Sequence, residues 1–192
     1  MNEYEVLIET INPCGGEAHS KKEFKDIAVE SPESYVRAEG RWPILDSGKN
    51  ASGDVVITTG DGKGKTSGAL GMTVRALGWG WRVAVVQFMK GDRETGERSF
   101  FRTHFPEMIF EQYGLGLLSR PGDHAGMAQR GWARARELLA EFPGELLGLD
   151  ELNNALTHGF VDLDEALDAL KRRREALNVI VTGRYAPPEL VE

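Results

Sequence analysis

The residues with the most chemistry lie together in Thr58-Thr59-Gly60-Asp61-Gly62-Lys63-Gly64-Lys65-Thr66-Ser67. Gly60, Gly62 and Gly64 predict a backbone free to take positive φ and to approach a ligand closely. The N–H groups from Gly62 to Thr66 would then form an anion nest at a helix N-terminus. Lys65 supplies a point charge to terminal phosphates, and the Thr66 hydroxyl is a hard-oxygen ligand suited to Mg²⁺. The spacing follows G-x-x-x-x-G-K-[ST] except at its first place, which holds Thr59. A Gly-rich turn that merely starts a helix is the plainer reading. Gly-Lys-Thr after these glycines, with a strand before and a helix after, argues for nucleotide binding instead.

A second cluster is Leu146-Leu147-Gly148-Leu149-Asp150-Glu151, an apolar run ending in two acids. In phosphate-loop proteins an acid at such a strand end holds Mg²⁺ or its waters. Adjacent strand residues point to opposite faces, so one of the two meets the phosphates. Glu151 or Asp150 is the candidate metal ligand beside Thr66, and Asp150 is also a candidate N-cap for the segment 152–156. Lys90 ends Gln87-Phe88-Met89-Lys90-Gly91 and Arg184 ends Thr182-Gly183-Arg184. Either cation can serve phosphate or an acidic substrate; otherwise each is a surface residue. Arg75 lies ten residues after Lys65. Its spacing alone does not choose between a phosphate contact and a solvated helix residue.

The elements that must carry these groups are legible. Short β-branched or apolar runs at 55–58, 82–88, 108–112, 146–149 and 178–182 read as buried strands. Helical periodicity covers 65–77, 125–142 and 164–177, with Gly78 and Gly80 ending the first helix. Strands alternating with helices predict right-handed βαβ units, hence an α/β fold with a mostly parallel sheet flanked by helices. Ligands in such sheets sit at the carboxyl ends of the strands, where every cluster above falls. Residues 1–53 differ. Strands are expected at 4–11 and 24–29, a turn at 12–16, a short helix opened by Ser31-Pro32-Glu33, and a linker at 46–54. We therefore expect an N-terminal appendage and linker, 1–53, and a main domain, 54–192.

Composition sets the outer bounds. The 192 residues include 23 basic and 30 acidic ones, a net charge of −7 with His neutral. This disfavours a general affinity for nucleic acid or an anionic membrane. The single cysteine, Cys14, rules out an internal disulfide framework. No apolar run approaches the ~18 residues of a membrane span, and the first ten residues lack a basic leader. A cytoplasmic protein is expected. His19, His104, His124 and His158 show no ligand spacing. Trp79 and Trp81 read as core, and Arg172-Arg173-Arg174 as a solvated helix end.

Taken as a set, several blocks resemble the corrinoid adenosyltransferases of the CobA/CobO/BtuR type. They are the 59–67 loop, Arg75-Ala76-Leu77-Gly78, Val85-Val86-Gln87-Phe88-Met89-Lys90-Gly91, Gly96-Glu97, Leu149-Asp150-Glu151-Leu152-Asn153, Asp162-Leu163 and the stretch 179–188. The likeness covers about 54–192. It implies a RecA-like P-loop NTPase fold. It also implies transfer of the 5′-deoxyadenosyl group of ATP to the cobalt of a reduced corrinoid, with release of triphosphate. By matching position, Lys63, Gly64, Lys65, Thr66 and Ser67 would hold the triphosphate, Arg75 would add charge there, and Thr66 with Glu151 would serve Mg²⁺. We expect Gly60, Asp61 and Gly62 of the loop, with Lys90 and Arg184 at their strand ends, to complete the cofactor-binding set, and Lys65, Thr66 and Glu151 to act at the reacting phosphates. A reductase partner and a homodimer are further implications.

The sequence departs from the family's pattern in three places. Tyr113-Gly114-Leu115-Gly116-Leu117 stands where the family commonly has a Gly-Phe-x-Trp segment near the corrinoid. The chain ends at Glu192, where members usually continue through another strand. Residues 1–53 carry no motif of the resemblance; one expectation is that they fill a sheet edge beside 179–182. The alternative function is a P-loop nucleotide-binding regulatory or assembly protein without corrinoid activity. A nucleic-acid ATPase is disfavoured by charge, and a small-molecule kinase by the lack of an evident base.

Overall fold

The computed structural model describes the backbone of residues 2–11 and 20–29, and residues 53–91 and 94–191 with their side chains. The chain divides into two compact units, 1–46 and 47–192. In the first, β1 (Asn2–Ile11) pairs antiparallel with β2 (Ser20–Val29), in register from Asn2 opposite Val29 to Ile11 opposite Ser20. Both strands start earlier than the alternation suggests. The turn at 12–16, Cys14, and the helix expected at Ser31-Pro32-Glu33 lie outside the described residues.

In the second unit, apolar runs of four or five residues with helices between them form the parallel sheet that such a pattern demands. Its strands are β3 (Val55–Thr58), β4 (Val83–Gln87), β5 (Ile109–Gln112), β6 (Leu146–Asp150) and β7 (Asn178–Thr182), in the order β3-β7-β6-β4-β5. Every neighbouring pair is parallel. The connections are α1 (Lys65–Gly78), α2 (Gly96–His104), α3 (His124–Glu141), and α4 (Leu152–Thr157) followed by α5 (Leu163–Lys171); α6 (Pro188–Val191) comes last. The path runs one way along the sheet to β5 and then returns. Right-handed crossovers therefore put α1 and α2 on one face and α3, α4 and α5 on the other. The core fills the space between: Val83, Ala84, Val85 and Val86, Leu146, Leu147 and Leu149, and Val179, Ile180 and Val181 are buried, as are Trp132, Leu138 and Leu139 of α3.

Several expectations are corrected. β7 lies inside the sheet between β3 and β6, so no bare edge at 179–182 is left for the first strands to fill. α2 carries mostly polar residues and was not expected. Its N-terminus is capped by Thr95, whose Oγ1 accepts from the Arg98 N–H, and Glu97 lies in its first turn. Phe101 then anchors it by stacking on Phe110 of β5, with ring centres 5.4 Å apart. α5 stops at Lys171 rather than near 177. Arg172 is the exposed helix end expected, but Arg173 and Arg174 are half-buried. Arg173 donates to the carbonyls of Leu170, Leu177 and Gly53, and Arg174 to those of Phe142 and Gly144. They tie the chain beneath the amino ends of the strands. Trp81 is buried, but Trp79 is exposed. No helix among the described residues is long and apolar enough to cross a membrane.

Candidate functional site

All five parallel strands end in a polar residue at one edge: Thr58, Thr182, Asp150, Gln87 and Gln112. From Thr58 the chain turns through the Gly-rich loop into α1. Gly60 (φ 116°) and Gly64 (φ 101°) take the left-handed conformation that glycine permits, whereas Gly62 does not. No side chain caps α1 and no acid occupies its first turn. Its free N–H groups and the positive end of its dipole therefore face the loop mouth. Lys65 Nζ donates to the carbonyls of Gly60 (2.6 Å) and Gly62 (2.5 Å), which holds the ammonium across that mouth.

Opposite the loop stands Asp150, 3 % exposed. Its Oδ1 accepts from the hydroxyls of Thr66 (2.8 Å) and Thr182 (2.7 Å), and its Oδ2 from Gln87 Nε2 (2.8 Å). The acid that meets Thr66 is thus Asp150, one of the two candidates at this strand end, and not Glu151, which the resemblance implied. Asp150 is not the cap of α4 either; Glu151 holds that position, without a side-chain cap bond. A hydroxyl and a carboxylate are hard oxygen donors. No cluster of three His, Cys, Asp or Glu occurs among the described residues. Such a sparse set suits Mg²⁺, which keeps waters and takes phosphate oxygens rather than a full protein cage.

Glu151 turns the strand sharply into α4 through a left-handed backbone (φ 64°, ψ 23°), held by its N–H bond to Thr182 Oγ1 (3.0 Å). A non-glycine residue there costs of order 1 kcal/mol and persists only where its surroundings impose it. Burial, and next the adjacent Asp150, push the Glu151 carboxyl above the usual carboxylate range, while Lys90, Lys65 and Arg184 oppose that rise. A raised folded pKa stabilises the protein below the unfolded value, and that contribution is lost as pH rises through the folded one. Glu151→Gln is therefore expected to melt higher than the wild type at pH 7. The difference should vanish as the pH falls below about 4, where the carboxyl is protonated in both states. Melting curves between those limits check this; an unchanged or lowered melting temperature at pH 7 would contradict it.

Two cavities meet at Glu151. The smaller, about 250 Å³, is lined by Gly62 to Ser67 of the loop and, across from them, by Glu151, Asn154, Thr182, Gly183 and Arg184. The Arg184 N–H donates to Asn154 Oδ1 (2.7 Å) and the Ala186 N–H to Thr59 Oγ1 (3.1 Å), fixing this wall. The larger, about 660 Å³, is lined by Met89, Lys90, Gly91, Thr95, Leu115, Gly116, Leu117, Arg120 and Glu151. Its two loops touch at Gly114, where a Cβ would come within 2.5 Å of the Met89 carbonyl carbon.

The structure thus gathers Gly62, Lys63, Gly64, Lys65, Thr66, Ser67, Glu151 and Arg184 in the first cavity and places Lys90 in the second. Gly60 contributes its carbonyl to Lys65. Asp61 is exposed in the loop, and Arg75 lies ten residues along α1 from Lys65, ~15 Å at 1.5 Å per residue; neither lines the cavity. Gln87, Gln112, Asn154 and Thr182 were not singled out as site residues. For Gln87 and Thr182 the available signal was a polar residue ending an otherwise apolar strand; Gln112 and Asn154 carried no such signal.

Residues 51–192 match the family described as ATP:corrinoid adenosyltransferase BtuR/CobO/CobP. A corrinoid adenosyltransferase of Pseudomonas aeruginosa (strain PAO1) is 38 % identical over 174 residues, covering 85 % of this chain and 86 % of the relative. One from Sinorhizobium sp is 33 % identical over 183 residues, covering 93 % and 84 %. The Escherichia coli (strain K12) enzyme is 35 % identical over 144 residues, covering 73 % and 72 %. The Sinorhizobium match covers more of this chain than 51–192 can supply, so the likeness reaches into the N-terminal segment, where the sequence reading found none. By the family match and by these relatives, the chain belongs to the ATP:corrinoid adenosyltransferase family.

Proposed function

We propose that this protein transfers the 5′-deoxyadenosyl group of ATP to the cobalt of a reduced corrinoid and releases triphosphate. The observation that carries the reading is the junction at Glu151. On one side is a small cavity built from helix N–H groups and cations. On the other is a larger one with apolar walls from Met89, Leu115 and Leu117. The triphosphate belongs in the first and the corrinoid in the second, so that C5′ of the nucleotide lies where the two open onto each other.

The roles follow from the chemistry. Cobalt(I) is the nucleophile: its electron pair forms the Co–C5′ bond, the C5′–O bond breaks, and the triphosphate departs with that bond's electrons. No protein base or nucleophile is required. The chain positions the two reactants, a contribution that reaches several kcal/mol in well-aligned systems. It also places Lys63, Lys65, Arg184 and the α1 N–H groups around the charge that develops on the leaving oxygen. Thr66 and Asp150 would hold Mg²⁺, which when bound adds Lewis-acid charge at the phosphates. Glu151 at the junction would keep Lys65, Lys90 and Arg184 directed inward. A reductase delivering the corrinoid as cobalt(I) is the partner this chemistry needs.

The test is anaerobic: MgATP with chemically reduced cobalamin or cobinamide, following the loss of cobalt(I) absorbance and the phosphate product. Stoichiometric adenosyl-corrinoid and triphosphate support the reading; ADP or pyrophosphate as product contradicts it. A second reading is a nucleotide-binding regulatory protein. It is favoured by Leu115 and Leu117, which line the larger cavity where the resembling family commonly has aromatics. MgATP binding without turnover of any corrinoid would select it.

A further inference from the structure

A row of buried and half-buried polar side chains crosses the carboxyl edge of the sheet, and the roles assigned so far use only part of it. Thr182 ends β7, Asp150 ends β6, Gln87 ends β4 and Gln112 ends β5. Gln87 is in register with Asp150 on one side and with Gln112 on the other. The side chains are bonded in sequence: Gln112 Nε2 donates to Gln87 Oε1 (2.8 Å), and Gln87 Nε2 to Asp150 Oδ2 (2.8 Å). Asp150 Oδ1 then receives Thr66 from the loop. Gln87 is 0 % exposed and ends a strand whose other residues are all buried and apolar. An apolar side chain of the same length would fill that place without an amide to desolvate.

The direction of the row is not arbitrary. An ionised carboxylate only accepts, so Gln87 must turn its NH₂ toward Asp150. Its oxygen then faces Gln112, which must present its own NH₂. The mismatch is left at the far end: Gln112 Oε1 is buried and has no hydrogen-bond partner among the described residues. The polarity of the row is thus set at the Asp150 end, and the unsatisfied atom sits farthest from the loop. Past Gln112 the chain enters Tyr113 and Gly114, then Leu115, Gly116 and Leu117 of the larger cavity.

We propose that Gln87, backed by Gln112, is a positioning residue that fixes the rotation of the Asp150 carboxylate. It keeps Oδ1 toward Thr66 and the metal-bearing phosphates. This rests on the reading of Thr66 and Asp150 as the Mg²⁺-nucleotide pair. Without the Gln87 donor, Oδ2 loses its only hydrogen-bond partner among the described residues, and the rotation of the carboxylate is held by the Thr66 and Thr182 hydroxyls on Oδ1 alone.

The test uses the full chain with Gln87→Met and Gln112→Met. Affinity for a fluorescent ATP analogue is measured with Mg²⁺ and with EDTA, beside a melting curve for each variant. Gln87→Met is expected to fold but to melt somewhat below the wild type, because Asp150 Oδ2 and Gln112 Nε2 lose their partner, and to bind the Mg²⁺ complex about tenfold more weakly, with metal-free affinity unchanged. Gln112→Met should show the same selective loss at two- to threefold, and the double variant less than the product of the two. In turnover, KM for ATP should rise while KM for the corrinoid stays. Equal losses with and without Mg²⁺, or no loss in a folded variant, overturn the proposal. So does absence of Mg²⁺-dependent binding in the wild type. If Gln87→Met does not fold, Gln112→Met decides by the same criteria. Nucleotide binding is read without corrinoid, so a wild type that binds MgATP but makes no adenosyl product defeats the proposed reaction and leaves this inference to its own measurement.

Discussion

Lys65→Ala is expected to reduce adenosyl transfer by about 10²- to 10³-fold while leaving the fold intact, the scale seen when one preorganised donor to a developing anion is removed. Lys65 is the first residue of α1, and among the described residues its Nζ bonds only the loop carbonyls of Gly60 and Gly62. Alanine is a good residue for that helical position, and losing two partly exposed hydrogen bonds costs the native state little. The melting temperature should therefore stay within a few degrees. The charge, by contrast, sits over the α1 N-terminus, where triphosphate is proposed to bind and then leave. Anaerobic turnover, paired with nucleotide binding and a melting curve, separates the effects. Activity within about threefold of wild type would show that the ammonium is not at the reacting phosphates.

Asp150→Asn should be as damaging and more revealing, because stability and activity are expected to move apart. Asparagine matches the shape. Its Oδ1 can accept from Gln87, and its NH₂ can donate to the hydroxyls of Thr66 and Thr182, which rotate to accept. A buried negative charge is removed without orphaning a partner, so the variant should melt at or above the wild type. Mg²⁺-dependent nucleotide binding and turnover should fall by about 10²-fold or more, since a hard cation loses its anionic ligand while metal-free nucleotide binding persists. A variant that binds the Mg²⁺ complex normally would place the metal elsewhere, with Glu151 the next residue to replace. A variant that is markedly less stable would mean that the carboxylate's three hydrogen bonds serve the fold first.

The strands and most helices were legible because their signals are local. Runs such as Val83-Ala84-Val85-Val86 and Leu146-Leu147 state that they are buried on both faces, Val55-Val56-Ile57 states a strand although β3, at the sheet edge, is only half-buried, and the glycines of the 59–67 loop state where the backbone must turn. The Gly-rich loop, its lysine and its hydroxyl therefore follow from residues adjacent in the chain. α2 was missed because its sequence is largely polar and its anchor is the contact of Phe101 with Phe110, nine residues on in the next strand. The length of α5 was overstated because Arg173 and Arg174 read as solvated until their carbonyl partners, up to 120 residues distant in sequence, are known.

The site divides in the same way. The sequence alone determined that a Gly-rich turn carrying Lys65 and Thr66 follows β3, and that two acids end β6, since strand ends and helix starts are nearest-neighbour properties. Which acid meets Thr66 was decided by the tertiary structure. Thr66 and Asp150 are 84 residues apart in sequence and meet only because β3 and β6 flank β7 in the sheet, and the Glu151 backbone is turned into a left-handed bend by Thr182. The row through Gln87 to Gln112 was likewise invisible. A glutamine at the end of an apolar strand is ambiguous until strand order and register set it beside a carboxylate. Local patterns encode the elements and their turns; strand order, which depends on long-range pairing, chooses which polar ends become neighbours.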